Sequence, residues 1–205
     1  MDKTALTRKE RERLRHRKEI FSAALKLFSD KGFHRVSMQD IANEAEFGVG
    51  TLYNFFKSKE DLFEELMDST GQQILNEFME ILNGQGNEAK RLSRFFRKLP
   101  QFYRLHEDVI KLYVSVFGVH SVDFSKLRDR SNVRDKLCSI LTKLIEDGIC
   151  KGVFRNVAPE IGAIAIDATM AAIIFNIAEG TDEAHVVERF EKAEQLFLNG
   201  LLKPE

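Results

Sequence analysis

The sequence predicts an all-α fold of about nine helices: an N-terminal three-helix domain built around a helix-turn-helix, then a larger helical body. Three observations predict it. Apolar residues recur at helical spacing along nearly the whole chain, and no convincing run alternates as a strand would. Proline is scarce, at Pro100, Pro159 and Pro204, and no Gly/Ser tract interrupts the 205 residues, which favours long helices joined tightly. Between residues 37 and 55 two helix signals stand so close together that only a tight turn fits between them.

The first helix is expected from Thr7–Arg8 to Lys31. Ile20, Ala24, Leu27 and Phe28 form its apolar face, with Phe21 and Leu25 beside it. Gly32 stands where a helix stops in the left-handed region, and Phe33 supplies the returning hydrophobic contact. Ser37 then reads as an N-cap. Asp40, three residues on, makes a capping-box variant, and Val36 with Ile41 makes a hydrophobic staple. The helix they start is short, about Met38–Ala45. A turn through Glu46 and Phe47 leads to a second short helix, about Val49–Phe55.

Ser58 caps a fourth helix whose dipole Glu60 and Asp61 complement. Its stripe of Leu62, Leu66, Ile74, Phe78 and Leu82 runs until Asn83-Gly84-Gln85-Gly86-Asn87 ends it. Five helices follow. The fifth covers 88–105, and Pro100 should kink or break it. The sixth covers 107–118. The seventh covers 132–150, with Val133, Leu137, Ile140, Leu141 and Leu144 on one face. The eighth covers 159–178, with Pro159 at its first position. The ninth covers 182–201, with Val186, Phe190, Ala193, Phe197 and Leu201 in register. The domains are expected at residues 1–57 and 58–205, joined by the long fourth helix.

The net charge of −1 hides an asymmetry. Residues 1–60 hold 13 Lys/Arg against 9 Asp/Glu, residues 61–205 hold 18 against 23, and residues 1–18 alone hold 8 basic and 3 acidic. A polyanionic partner for the N-terminal part fits this separation, and so does a solvated basic tail. Cys138 and Cys150, on one helix, would stand about 18 Å apart. That is too far for a disulfide and suits a reducing cytosol.

The basic N-terminal run is not followed by an apolar stretch, so no secretory leader is read there and the expected compartment is the cytoplasm. Ile161–Ala178 is the most membrane-like stretch. Asp167 near its centre would cost about 2.5–3.5 kcal/mol in a bilayer, so a helix buried in protein is expected, with no membrane partner. The five histidines, 16, 34, 106, 120 and 185, include no pair four residues apart. With no Gly-rich phosphate loop and no nucleophile motif, neither an enzyme nor a metal or cofactor site is expected.

Gly32-Phe33, Val36-Ser37, Ile41-Ala42, Ala45, Gly50-Thr51-Leu52-Tyr53, Phe56 and Lys57-Ser58-Lys59-Glu60-Asp61-Leu62 stand at the spacing of one long motif. Over about residues 8–65 the chain resembles the TetR family of bacterial regulators. Beyond that stretch the likeness rests on helix number and length. Two departures stand out. The family's turn usually reads Ala-Gly-Val-Ser, where this chain has Ala45-Glu46-Phe47-Gly48, and Phe55 occupies a position where His or Tyr is common.

The resemblance implies a ligand-responsive transcriptional regulator, usually a repressor, that binds a near-palindromic operator in double-stranded DNA as a homodimer. It implies that Thr51, Tyr53 and Lys57 contact phosphates. Helix geometry adds candidates along the recognition helix, about Gly48–Phe55. Gly48 and Gly50 let the backbone approach the duplex closely. Val49 can meet a thymine methyl, and the amides of Asn54 and Gln39 can bond phosphate or adenine. Arg8, Arg11 and Arg15 can reach phosphates or the minor groove. Leu52, Phe56, Ile41, Ala42 and Ala45 read as core. For Tyr53 a cap on the small domain, and for Lys57 an ordinary solvated lysine, stay open as alternatives.

The body is rich in phenylalanine and lacks tryptophan. Phe95, Phe96, Phe102, Tyr103, Tyr113, Phe117 and Phe175, with Met170 and Asp167, are candidates to line a site for a small hydrophobic or aromatic effector. The same rings would also serve as plain core. Asp167 and Asn176 interrupt an apolar helix. A buried carboxylate needs a partner, whether ligand, arginine or backbone.

The resemblance further implies a dimer formed by the last two helices of each subunit. The small residues Gly162, Ala163, Ala165, Ala168, Ala171 and Ala172 and the stripe of the ninth helix suit such an interface, with intrachain packing claiming part of it. Repression and activation both fit the sequence. So does an alternative, a helical small-molecule-binding protein with weakened or non-specific DNA binding. Effector and operator identity, and any redox role of Cys138 or Cys150, are not legible.

Overall fold

A computed structural model describes residues 7–117, 133–178, 180 and 185–202. Among them are nine α-helices: α1 (Arg8–Lys31), α2 (Met38–Glu44), α3 (Val49–Tyr53), α4 (Lys59–Leu82), α5 (Glu88–Leu105), α6 (Glu107–Phe117), α7 (Val133–Cys150), α8 (Pro159–Ala178) and α9 (Val186–Leu201). A single 3₁₀ turn covers Phe33–Arg35. No strand occurs among the described residues; the nearest thing is an isolated antiparallel bridge between Phe154 and Leu202. The boundaries fall within a residue or two of expectation for most elements. The first turn expected of the ninth helix, residues 182–184, and residues 118 and 132 lie outside the described residues.

Local chemistry explains the ends. Thr7 caps α1 with a full capping box: its backbone N–H donates to Glu10 Oε2 at 2.7 Å and its hydroxyl accepts from the Glu10 N–H. Gly32 ends α1 at φ 78°, where a side chain would be strained. Pro100 does not break α5, which continues to Leu105. Proline removes one backbone bond, and the turns around it are held by the burial of Phe95, Phe96, Leu99, Phe102 and Tyr103.

The chain divides into two packed units, one through Met67 and one from Asp68. The division falls ten residues beyond the expected 57/58 boundary because the first turns of α4 belong with the first unit. There Phe63 sets its ring against Phe28 and Phe33, at 6.1 and 5.0 Å. Ile20, Ala24, Ile41, Ala42, Leu52 and Leu62 complete that core, all fully buried. In the second unit α5 packs on α9 and α7 on α8.

α8 is long and apolar enough to cross a membrane by length and composition. Its Ala163, Ile166, Asp167, Met170 and Ile177 are buried, whereas Ile161 and Ile164 are exposed. The expectation of a helix buried in protein therefore holds for one face only.

Candidate nucleic-acid interface and sensor body

The helix-turn-helix is assembled from its caps outward. The Ser37 hydroxyl accepts from the Asp40 N–H at 3.1 Å, and the Asp40 carboxylate accepts from the Ser37 N–H at 2.8 Å. These bonds hold the Asp40 carboxyl below its ordinary range. The turn closes through Ala45 N–H to the Ile41 carbonyl and Phe47 N–H to the Ala42 carbonyl, both at 2.9 Å. Glu46 takes φ 58°, a left-handed conformation at the position where the TetR-like pattern has glycine.

α3 is five residues long, too short to persist alone. Its underside is pinned by Leu52 and Phe56, both fully buried. The expected core residues Ile41 and Ala42 are likewise buried, and Ala45 is half-buried.

What α3 leaves outward is a strip of expected DNA-contact residues. Gly48, Gly50, Tyr53, Asn54 and Lys57 are exposed, Tyr53 by 55%. Val49 and Thr51 are half-buried. Gln39 is exposed on α2 and donates one amide proton to Asn43 at 2.9 Å. A Cβ on Gly50 would meet nothing within 4 Å, and one on Gly48 only Thr51 Oγ1 at 3.9 Å. The protein's own packing does not require glycine at either position. Arg8 and Arg11 are exposed on the first turns of α1, and Arg8 pairs with Glu12 at 3.1 Å.

In the second unit the expected effector residues divide. Phe95, Phe96, Phe102, Tyr103 and Met170 are buried among one another and their neighbours. Phe78 lies 5.0 Å from Phe95 and 4.6 Å from Phe102, and Phe96 stacks on Phe197 at 5.6 Å. Tyr113 and Phe175 are half-buried, 6.4 Å apart. The side chain of Phe117 lies outside the described residues.

Two surface cavities involve other residues. One, about 560 Å³, lies along α8 and α9 against Thr169, Ile173, Arg189 and Leu196. Another, about 250 Å³, lies against Leu82, Arg91, Ser139 and Lys143.

Asp167 is buried and finds its partner in Arg134 of α7. Burial raises its carboxyl pKa against the pull of that guanidinium. Burial also pushes the Tyr113 hydroxyl up to about 12, with Arg134 opposing, and raises the Cys138 thiol together with Asp167. A raised thiol pKa leaves Cys138 a poor nucleophile. Asn176, expected to interrupt a buried face, is exposed and donates to the Ala172 carbonyl at 2.8 Å.

The stripe of α9 packs within the chain. Val186, Phe190, Ala193 and Leu201 are buried against this chain's own core. The large apolar residues exposed on the last two helices are Val187 and Leu196 on α9 and Ile161 and Ile164 on α8, with Leu196 66% exposed, and Ala168 and Ala172 of α8 are exposed as well.

Residues 20–66 match the family model for bacterial regulatory proteins of the tetR family. The chain is 26% identical over 160 residues to the HTH-type transcriptional regulator YhgD of Bacillus subtilis, covering 78% of this chain and 83% of that protein. It is 25% identical over 141 residues to the HTH-type transcriptional repressor KstR2 of Mycobacterium tuberculosis, 68% of this chain and 69% of that one. The crystal structure of the transcriptional regulator FadR from Bacillus subtilis in complex with stearoyl-CoA superposes with a TM-score of 0.75 at 17% identity, covering 89% of this chain and 98% of that chain. Together these matches indicate a transcriptional regulator of the TetR family.

In this TetR-type transcriptional regulator the sequence reading missed two groups of residues that build the head. In the sequence Lys59 stands in the Lys57–Leu62 motif with no role of its own. Its ammonium instead donates to the carbonyls of Phe33 and Val36, at 2.9 and 2.8 Å, and lies 4.5 Å from the Phe33 ring centroid. It ties the start of α4 to the loop before α2. His16 and Arg17 continue the apolar stripe of α1 as ring partners. His16 meets Phe47 edge-on at 5.0 Å, and Arg17 lies over Phe21 and Phe56 and pairs with Glu65. The signal was their spacing, since 16, 17, 20 and 24 share one helix face.

Proposed function

We propose that this TetR-family regulator is a homodimeric repressor released by a small hydrophobic or aromatic effector. Residues 1–57 supply the operator-binding head, and residues 58–205 supply the effector site and dimer interface. The observation that carries the reading is the α3 strip. Exposed Gly48, Gly50, Tyr53, Asn54 and Lys57 flank a Leu52–Phe56 underside that is fully buried. A rigid underside with a free polar edge is what a helix needs to lie in a major groove.

In this reading Thr51, Tyr53 and Lys57 hold phosphates, and Gln39, Val49 and Asn54 meet base edges. Gly48 and Gly50 admit the backbone to the duplex, and Arg8 and Arg11 reach the flanking backbone. Two heads related by a two-fold axis, roughly 34–36 Å apart, read a near-palindrome in cytoplasmic DNA. The exposed apolar residues of α8 and α9 form the isologous contact.

The effector site draws on Tyr113, Phe117, Met170, Phe175 and the Asp167–Arg134 pair, backed by Phe95, Phe96, Phe102 and Tyr103. The stearoyl-CoA held by FadR supports an apolar effector, and the repressor KstR2 supports repression. The effector releases DNA by binding one arrangement of the body more tightly than another, with α4 carrying the change to the head.

The test is a binding selection from random duplexes at near-physiological salt, followed by wild type against Tyr53→Phe and Lys57→Ala. A recovered near-palindrome bound more weakly by Lys57→Ala, with a salt slope shallower by about 0.9 per protomer and hence about 1.8 for the dimer, supports the reading. Binding without sequence enrichment would replace it with a non-specific DNA binder. No duplex binding would overturn it.

A further inference from the structure

The start of α1 carries arginines at 8, 11, 13, 15 and 17. Arg8, Arg15 and Arg17 each face a carboxylate: Glu12 at 3.1 Å, Glu19 at 3.6 Å, and Glu65. Arg13 has no carboxylate partner among the described residues. Its guanidinium carbon lies 5.6 Å from the centroid of the Phe55 ring instead. Phe55 follows the exposed Tyr53 and Asn54 directly and precedes Lys57 by two residues.

Arg13 is exposed, so its guanidinium is open to solvent and to an approaching polyanion. A guanidinium resting against a ring is held by the face of its plane and keeps its N–H donors free at the edge. The side chain is thereby ordered next to the DNA-facing strip with its hydrogen-bonding capacity unspent.

The ring that holds it is itself fixed. Phe55 lies 6.5 Å from His16 and 6.1 Å from Phe56, and His16 in turn meets Phe47 at 5.0 Å. Phe47 and Phe55 are two of the positions at which this chain departs from the TetR-like pattern. Both departures converge on His16, one turn of α1 beyond Arg13. The cluster couples α1, the turn before α3 and the residue after α3.

We propose that Arg13 is a phosphate-contacting residue of the head, oriented by Phe55, and that His16, Phe47 and Phe55 together form the positioning cluster that ties the basic start of α1 to the recognition helix. This rests on the operator-binding reading above and assigns that interface one more contact and the device that aims it.

The experiment measures operator binding by the full chain across a salt series, on the duplex that wild type selects, for Arg13→Gln, Phe55→Leu and the double variant. Loss of one phosphate contact per protomer makes the plot of log affinity against log salt shallower by about 0.9, hence about 1.8 for a dimer. Arg13→Gln is expected to show that change with its thermal midpoint unmoved, because the side chain is exposed. Phe55→Leu is expected to lower affinity as well, and the double variant to lose less than the two losses combined, because both remove the same contact. Arg13→Lys is expected to keep the slope and bind more weakly.

An unchanged slope in Arg13→Gln on a duplex that wild type binds selectively overturns the Arg13 assignment and leaves the operator reading standing. Full additivity in the double variant overturns the positioning role of Phe55. Absence of duplex binding by wild type overturns the operator reading and this assignment with it.

Discussion

Ser37 and Asp40 satisfy each other's backbone N–H groups at the start of α2. The Ser37 bonds hold the Asp40 carboxyl below its ordinary value in the folded state. A depressed carboxylate pKa contributes stability that is present above the unfolded-state value and is lost as pH falls through the folded-state value. Asp40→Asn is therefore expected to have a lower urea midpoint than wild type at neutral pH, with the gap closing as pH drops through the carboxylate range. Denaturant titrations at several pH values check this, and a gap that stays constant with pH would mean the charge is not what Ser37 recognises. Glu46 acts in the opposite sense at the same scale. Its φ of 58° costs a non-glycine residue stability, and the closed turn bonds on either side hold it there.

Elements here are decided by what they rest on as much as by their own residues. α3 has no side-chain cap, because Gly48 stands at its N-cap, and it persists through the burial of Leu52 and Phe56. α5 tolerates Pro100 for the same reason. The C-terminal end of α7 shows how tightly one element can constrain another. Gly148 lies so close under Phe154 that an added Cβ would sit 2.2 Å from a ring carbon. Phe154 is buried, and the chain beside it pairs with the end of α9, Arg155 N–H to the Leu201 carbonyl at 2.8 Å. Gly148→Ala is expected to cost about 1–3 kcal/mol by overpacking, and pairing it with Phe154→Leu to recover part of the loss. Thermal or urea unfolding of the two variants checks it; an unshifted midpoint for Gly148→Ala would show that the ring moves aside freely.

At the scale of the whole molecule, α8 and α9 keep large apolar residues outward. Ile161, Ile164, Val187 and Leu196 are exposed, and Leu196 also lines the cavity of about 560 Å³. If a second copy covers them, as proposed, Leu196→Glu places a charge in the contact without disturbing the fold. Sedimentation velocity is expected to show wild type as a dimer and the variant shifted to monomer, with helical content unchanged. A variant that remains dimeric would move the interface elsewhere.

Much of this architecture was legible in the residues. Helix positions follow from periodicity and from the caps at Ser37, Ser58 and Gly32, because those signals act over four or five residues and are local. The underside of the helix-turn-helix at Ile41, Ala42, Leu52 and Phe56 was legible for the same reason. The roles of the phenylalanines in the body were not. A ring in a core and a ring in a ligand site have the same spacing, and only packing places Phe95, Phe96 and Phe102 against Phe78 and Phe197. For the α9 stripe the intrachain packing left open by the sequence is what the fold uses, since periodicity identifies an apolar face and not the surface it meets. Long-range pairs such as Asp167 with Arg134, Lys59 with the Phe33 and Val36 carbonyls, and Arg13 with Phe55 join residues far apart in the chain. By itself the sequence determined where helices begin and end and which faces are apolar, because those are local properties. Only the tertiary structure decided which face meets which partner and that Arg13 comes to rest on the Phe55 ring, because that depends on where distant segments come to lie.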